Sequence, residues 1–254
     1  MFHTQQRFWA AFMATIFAPA FGGVVTFTDS TFSLGNYTQT PAFQSTGTIS
    51  VSQCGSCGNP GQALQFVGDF PDTSVNTGLV ALGIVNTTFA YNPATQGAIY
   101  SIAASVDKNF STPPNLGSVT NAFRPMIVQD GNYYLAGIVG PDFSGGTTGF
   151  LTLSGALQAS DFVQYSFSTG AFGTAHPNFA GHPILLGLAQ ISGVSGLSNN
   201  VRFTQAYDNL SFSVQTPEPS SFVAILALTP LMAIARRRRR AARNRPRPDI
   251  SLLA

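Results

Sequence analysis

The sequence predicts an all-β fold, a β-sandwich of the jelly-roll type, carrying an N-terminal signal peptide and a single C-terminal transmembrane helix. Three observations predict it. Residues 21–215 are rich in Gly, Thr, Ser, Asn and Phe and lack Leu-rich helical periodicity, a balance that favours strands and turns. About eleven short apolar runs follow one another at fairly regular spacing, divided by turn signals, as in sandwiches and jelly rolls. One uncharged, mostly apolar segment near the C-terminus runs straight into five arginines. The organisation expected is a signal peptide over 1–20, a β-sandwich domain over 21–215, an apolar membrane segment ending in the arginines over 216–240, and a basic, disordered tail over 241–254.

In chain order, Arg7 is the charged flank of the leader, residues 8–17 (FWAAFMATIF) its apolar core, and Ala18-Pro19-Ala20 the small-residue site a signal peptidase needs. Cleavage is expected after Ala20, with Gly22 or Gly23 as alternatives. Strands are expected over 24–28, 47–52, 63–67, 79–91, 98–106, 125–129, 133–139, 148–153, 162–167, 184–191 and 210–214. The 162–167 segment alternates, with Phe162, Gln164 and Ser166 facing one way and Val163, Tyr165 and Phe167 the other. Asp130-Gly131 sits between two apolar runs and is the best hairpin turn in the chain. No repeat at a fixed period is present, which argues against a propeller or solenoid.

The charge is divided unevenly. Residues 21–215 keep only Lys108, Arg124 and Arg202 against eight aspartates, so this body is net −5 although the whole chain is nominally +2. An acidic body with three scattered cations offers no phosphate-binding face, which excludes nucleic acid as a partner.

The segment 216–240, TPEPSSFVAILALTPLMAIARRRRR, has three parts in fixed order. Pro217, Glu218 and Pro219 form a rigid extended tripeptide. Residues 220–235 are uncharged and would span roughly 24 Å as a helix, short of a bilayer core of about 30 Å. Arg236, Arg237, Arg238, Arg239 and Arg240 are a stop-transfer signal, cytoplasmic by the positive-inside rule, with snorkelling to make up part of the length. Pro230 would kink the span, a defect membrane helices tolerate. These three parts resemble the PEP-CTERM sorting signal of Gram-negative, often biofilm-forming, bacteria. The resemblance covers about a tenth of the chain. It implies an exosortase-type processing enzyme as partner, a membrane protease acting near the Pro-Glu-Pro motif. It also implies a transient inner-membrane tether and a final place at the cell surface or in the extracellular matrix. In that family the arginines usually end the protein, whereas here residues 241–254 follow.

A second resemblance rests on FTDSTFSL near the start, CGNPGQALQF, FRPMIVQDGNYYLA in the middle and YDNLSFSV at the end. These stretches resemble concanavalin-like and carbohydrate-binding jelly-roll modules, which implies pairing of the first strand with the last and polysaccharide as an alternative partner.

Candidate sites are few. Cys54 and Cys57 are the only cysteines. In an exported protein a local disulfide is the leading reading, ahead of a redox centre, which wants a helix N-terminus, and half a zinc site, which needs two more ligands. His176 and His182 flank one loop and read as solvated before they read as a metal pair. If the first and last strands are neighbours, Asp29 and Asp208 approach one edge, where calcium binding competes with simple turn capping. Tyr133, Tyr134 and Tyr165 could stack on sugar but read as half core. No catalytic residue, metal or cofactor is expected: the body contains no glutamate and no nucleophile-elbow motif.

Overall fold

The computed structural model describes residues 22–71, 77–111, 118–144, 149–195 and 200–217. Within them, Gly23–Thr216 forms one compact unit. The predicted leader, Glu218, Pro219, the apolar span, Arg236 to Arg240 and the tail lie outside the described residues. No helix among the described residues is long and apolar enough to cross a membrane.

The unit is built from two antiparallel sheets, as the alternation and turn spacing predict. The six-stranded sheet holds β1 (Val24–Asp29), β4 (Thr48–Gly58), β5 (Gly61–Phe70), β7 (Ser101–Ser111), β11 (Leu151–Leu157) and β15 (Val201–Gln215). The nine-stranded sheet holds β2 (Tyr37–Gln39), β3 (Phe43–Gln44), β6 (Thr77–Tyr91), β8 (Ser118–Gln129), β9 (Asn132–Leu135), β10 (Ile138–Ser144), β12 (Val163–Ser166), β13 (Ala171–Phe172) and β14 (Ile184–Ser195). One four-residue helical turn, α1 (Pro93–Gln96), is started by Asn92, whose side chain accepts from Ala94 N.

The spine is β15, fifteen residues long where the sequence marks only 210–214 as a strand. Its first half pairs with β5 and its second half with β1, while β7 runs along its other side. The first and last strands are therefore neighbours. Gly23 N donates to Thr216 Oγ1 at 2.7 Å and Thr216 N to Gly23 O at 3.0 Å, which ties the two ends of the unit together.

The run 133–139, expected as one strand, is two. Both pieces face β8 in the same register, Leu135 opposite Met126 and Ile138 opposite Phe123. The break falls opposite Pro125. Proline has no N–H to give, so only the bond from Ala136 N to Pro125 O survives there. Asp130-Gly131 is the turn between β8 and β9, with both residues at positive φ (52° and 76°), as a tight two-residue hairpin requires.

The main core lies between the sheets and is mostly aromatic and β-branched. Phe66 meets Tyr207 edge to face at 5.6 Å, and Phe70 meets Phe203 at 5.5 Å. Phe123, Ile127, Ile84 and Leu188 close the core from the nine-stranded sheet. A second, smaller cluster includes Met126, Leu135, Tyr165 and Phe167. The alternation in 162–167 explains this: Phe162 belongs to the main core, while Tyr165 and Phe167 belong to the second cluster.

Candidate functional site

Most polar residues singled out in the sequence are spent on structure. The Asp29 carboxylate caps its own turn: Oδ1 accepts from Thr31 N and Phe32 N at 2.8 Å, and Oδ2 from the Tyr37 hydroxyl at 2.8 Å. That cap holds Phe32 at positive φ, where its ring is fully buried. Asp208 is 1% exposed and sits at an irregularity of β15. Its Oδ2 accepts from Asn59 N at 2.5 Å and its Oδ1 from Asn209 N at 2.7 Å. Asp29 pairs with Leu210, so the first-to-last pairing does bring it near Asp208 in register, but each carboxylate is satisfied by a separate set of donors. Among the described residues no group of three His, Cys, Asp or Glu side chains is placed to hold a metal ion.

Cys54 and Cys57 lie on β4 with their sulfurs at bonding distance and Cα atoms 5.7 Å apart. The segment after Cys57 turns through Asn59-Pro60 into β5, so no helix N-terminus addresses either sulfur. His176 Nδ1 donates to Phe162 O at 2.8 Å, and the exposed His182 bonds Asp130 through Nδ1 at 2.8 Å. The two histidines hold one loop to two different neighbours. Of the motif residues, Pro217 alone is described, and it is exposed.

Two features carry no sequence motif. The first is a polar seam inside the sandwich. Lys108 is 2% exposed and points between the sheets, like Ile102, Ala104, Val106 and Phe110 on the same strand. Its Nζ donates to Ala122 O at 2.6 Å and lies over the Tyr207 ring, 5.0 Å from the centroid. Burial, with a smaller push from Arg124, brings the amine down to about 7. The Tyr207 hydroxyl donates to Gln190 Oε1, and burial drives that phenol far up. Gln190 and Gln205 both donate to Ser192 Oγ.

The second feature joins β8, β12 and β13. Arg124 is half-buried, and its guanidinium carbon lies 5.9 Å from the centroid of Phe172. Phe172 is 50% exposed. Beneath it Tyr165 is 2% exposed, with its ring 4.9 Å from that of Phe172, and its hydroxyl has no hydrogen-bond partner among the described residues. Burial lowers the Arg124 value and raises that of Tyr165; each group's field partly offsets the other's shift. Among the described residues Arg124 has neither a carboxylate nor a hydrogen-bond acceptor. The other two cations of the body differ. Lys108 is enclosed, and Arg202 is held in a two-pronged bond by Asp69 at 2.6 and 3.0 Å.

A depression of about 520 Å³ lies beside that Asp69–Arg202 pair, but Arg202, the one cation among its described lining residues, is already committed. The expectation that Tyr133, Tyr134 and Tyr165 are half core agrees with the structure: Tyr134 joins the main core, and Tyr133 packs edge-on against Phe167 at 5.2 Å. Sequence reasoning missed Arg124 and Phe172. The available signal was the scarcity of cations in the body, which makes an unpaired arginine conspicuous once the other two are accounted for.

No family model and no curated protein matches the chain. Among solved structures it is similar to the C-terminal family 22 carbohydrate-binding module of Clostridium thermocellum Xyn10B, at 14% identity over 76% of this chain and 94% of that one, with a TM-score of 0.33. It is also similar to the CBM22-1 xylan-binding domain of Paenibacillus barcinonensis Xyn10C, at 12% identity over 78% and 97%, TM-score 0.32. A third is the basic winged bean lectin with Tn-antigen, at 10% identity over 77% and 100%, TM-score 0.38. These identities and TM-scores assign no ligand to this chain.

Proposed function

We propose that the chain is an exported, non-enzymatic β-sandwich protein of the cell surface or extracellular matrix. In this reading a signal peptidase removes residues 1–20. The segment 216–240 tethers the precursor in the inner membrane, and an exosortase-type enzyme acts near Pro217, Glu218 and Pro219. The observation that carries it is the order of that tail in the sequence: a proline-bounded tripeptide, an uncharged apolar span and five arginines. The body suits such processing. Its first and last strands pair, and its ends are hydrogen-bonded to each other. In an oxidising compartment Cys54 and Cys57 form a disulfide that closes the irregular end of β4, just before the turn into β5.

Cell fractionation with mass spectrometry of the mature termini tests the proposal. The expected product begins just after Ala20 and ends close to the Pro-Glu-Pro motif. A mature protein that still begins at Met1, or a tail recovered in the cytosol with the body, sinks it.

A second reading, polysaccharide binding by the body, is favoured by one observation: a half-exposed Phe172 with an uncommitted arginine against it. Aromatic faces flanked by a few convergent polar groups are a common composition of ligand sites.

A further inference from the structure

We propose that Arg124, Phe172 and Tyr165 form a subsite for a single carboxylate carried on a sugar ring, a uronate unit within an otherwise neutral glycan. The proposal rests on the polysaccharide-binding reading and names the chemistry of its site.

The argument begins with the cost of leaving a guanidinium half-buried and unpaired. Arginine stays protonated under all ordinary conditions, so burial cannot be relieved by losing the proton. The acidic body has carboxylates to spare, yet Arg124 has none within reach among the described residues, while Arg202 holds Asp69 through both prongs. The Arg124 donor fork is therefore free for a planar two-oxygen acceptor, which a carboxylate supplies in matching geometry. The phenol beneath makes the same point independently. Tyr165 is 2% exposed, and its hydroxyl has no hydrogen-bond partner among the described residues, an arrangement that costs free energy unless a partner arrives.

Phe172 completes the set. It is held in place by the tight β12–β13 hairpin, in which Gly170 N donates to Ser166 O at 2.8 Å. Gly170 takes φ 67°, and a Cβ there would stand 2.4 Å from the Phe43 ring, so glycine is required for the hairpin to lie on that ring. The result is a fixed, half-exposed aromatic ring beside a cation. The C–H face of a pyranose can lie on such a ring while its carboxylate meets the arginine. The net charge of −5 over 21–215 narrows the ligand further. It opposes a long polyanion and leaves a lone carboxylate as the better fit, because charges more than a Debye length away, about 8 Å at physiological ionic strength, are largely screened from it.

The test is isothermal titration of the full chain in a non-ionic detergent, at physiological ionic strength. The probes are an aldobiouronate, a disaccharide of glucuronate and a neutral sugar, and the same disaccharide with its carboxylate reduced to the alcohol. The acidic sugar should bind more tightly, and Arg124→Gln should weaken it by about tenfold to a hundredfold, as loss of a charge-assisted pair implies. Tyr165→Phe removes only the hydroxyl; it should weaken the acidic sugar severalfold without lowering Tm. Arg202→Gln should change nothing. Equal binding of both sugars with Arg124→Gln unaffected would overturn the uronate subsite and leave polysaccharide binding standing. Binding of neither sugar would overturn both. Inorganic phosphate competing as well as the aldobiouronate would show an anion hole without sugar recognition and would also overturn it.

Discussion

Lys108 and Arg124 face opposite sides of one strand's neighbourhood and meet burial in opposite ways. Lys108 enters the sandwich and donates to Ala122 O on β8; Arg124, two residues further along β8, lies against Phe172 beside the second cluster. Both are penalised first by loss of water. The amine has an exit, because giving up its proton at about 7 leaves a neutral group that still donates one good hydrogen bond. The guanidinium has no such exit, so it remains half-exposed, charged and stacked on an aromatic ring. A fully buried cationic residue can thus be structural, while a half-buried one that cannot neutralise is a place to look for a ligand.

Exchanging the residue types should break this contrast. Lys108→Arg places a permanent charge where only a neutral amine is tolerated. It should destabilise the chain by about 3 kcal/mol or more, the range for an uncompensated buried charge, read from denaturant midpoints. Insensitivity of the midpoint to this change would mean that the interior around Tyr207 is wetter than its burial implies.

The next effect concerns pH. The folded value of Lys108 is about 7 and its ordinary value 10.5. Between them the unfolded chain holds a proton that the folded chain does not. Stability should therefore rise with pH through that window, at most by about 1.4 kcal/mol per pH unit, and flatten below the folded value. Lys108→Met should remove this slope and add roughly 1–4 kcal/mol near neutral pH, as replacing a buried charge by an apolar side chain often does. Tyr207 also faces the amine, but burial drives its own titration far above this window.

The smallest effect sharpens the other half of the contrast. Arg124→Met should change stability by no more than about 1 kcal/mol, since it removes an exposed-side cation–π contact and no hydrogen bond among the described residues. A larger loss would make Arg124 a structural residue and remove the reason to seek a ligand for it.

Much of the architecture was legible in the sequence. Period-two alternation in 162–167 assigned Phe162 and Tyr165 to different clusters, and Asp130-Gly131 announced its hairpin through residues that accept positive φ. The misreadings came from long-range pairing. The strand at 210–214 extends back to Val201 because β5 and β7 supply partners on both sides. The strand at 133–139 breaks because Pro125, eight or more residues earlier in the chain, lies across from it and lacks an N–H. The short strands β2, β3 and β13 carry too few residues for periodicity to register.

The sequence by itself determined the things that depend on local order. These are the tripartite 216–240 segment, the separation of a basic tail from an acidic body, the two-residue turn and the inward and outward faces of strands. Composition and period are properties of neighbours along the chain, and hydrophobic patterning acts on them directly. Tertiary structure alone decided which cation was left over. Asp69 and Arg202 are 133 residues apart and find each other only because β5 pairs with β15. Phe172 reaches Arg124 only because β12, β9 and β8 line up in one sheet. Whether a charge is paired, neutralised or left waiting depends on distances across the fold, and those are set when the sheets close.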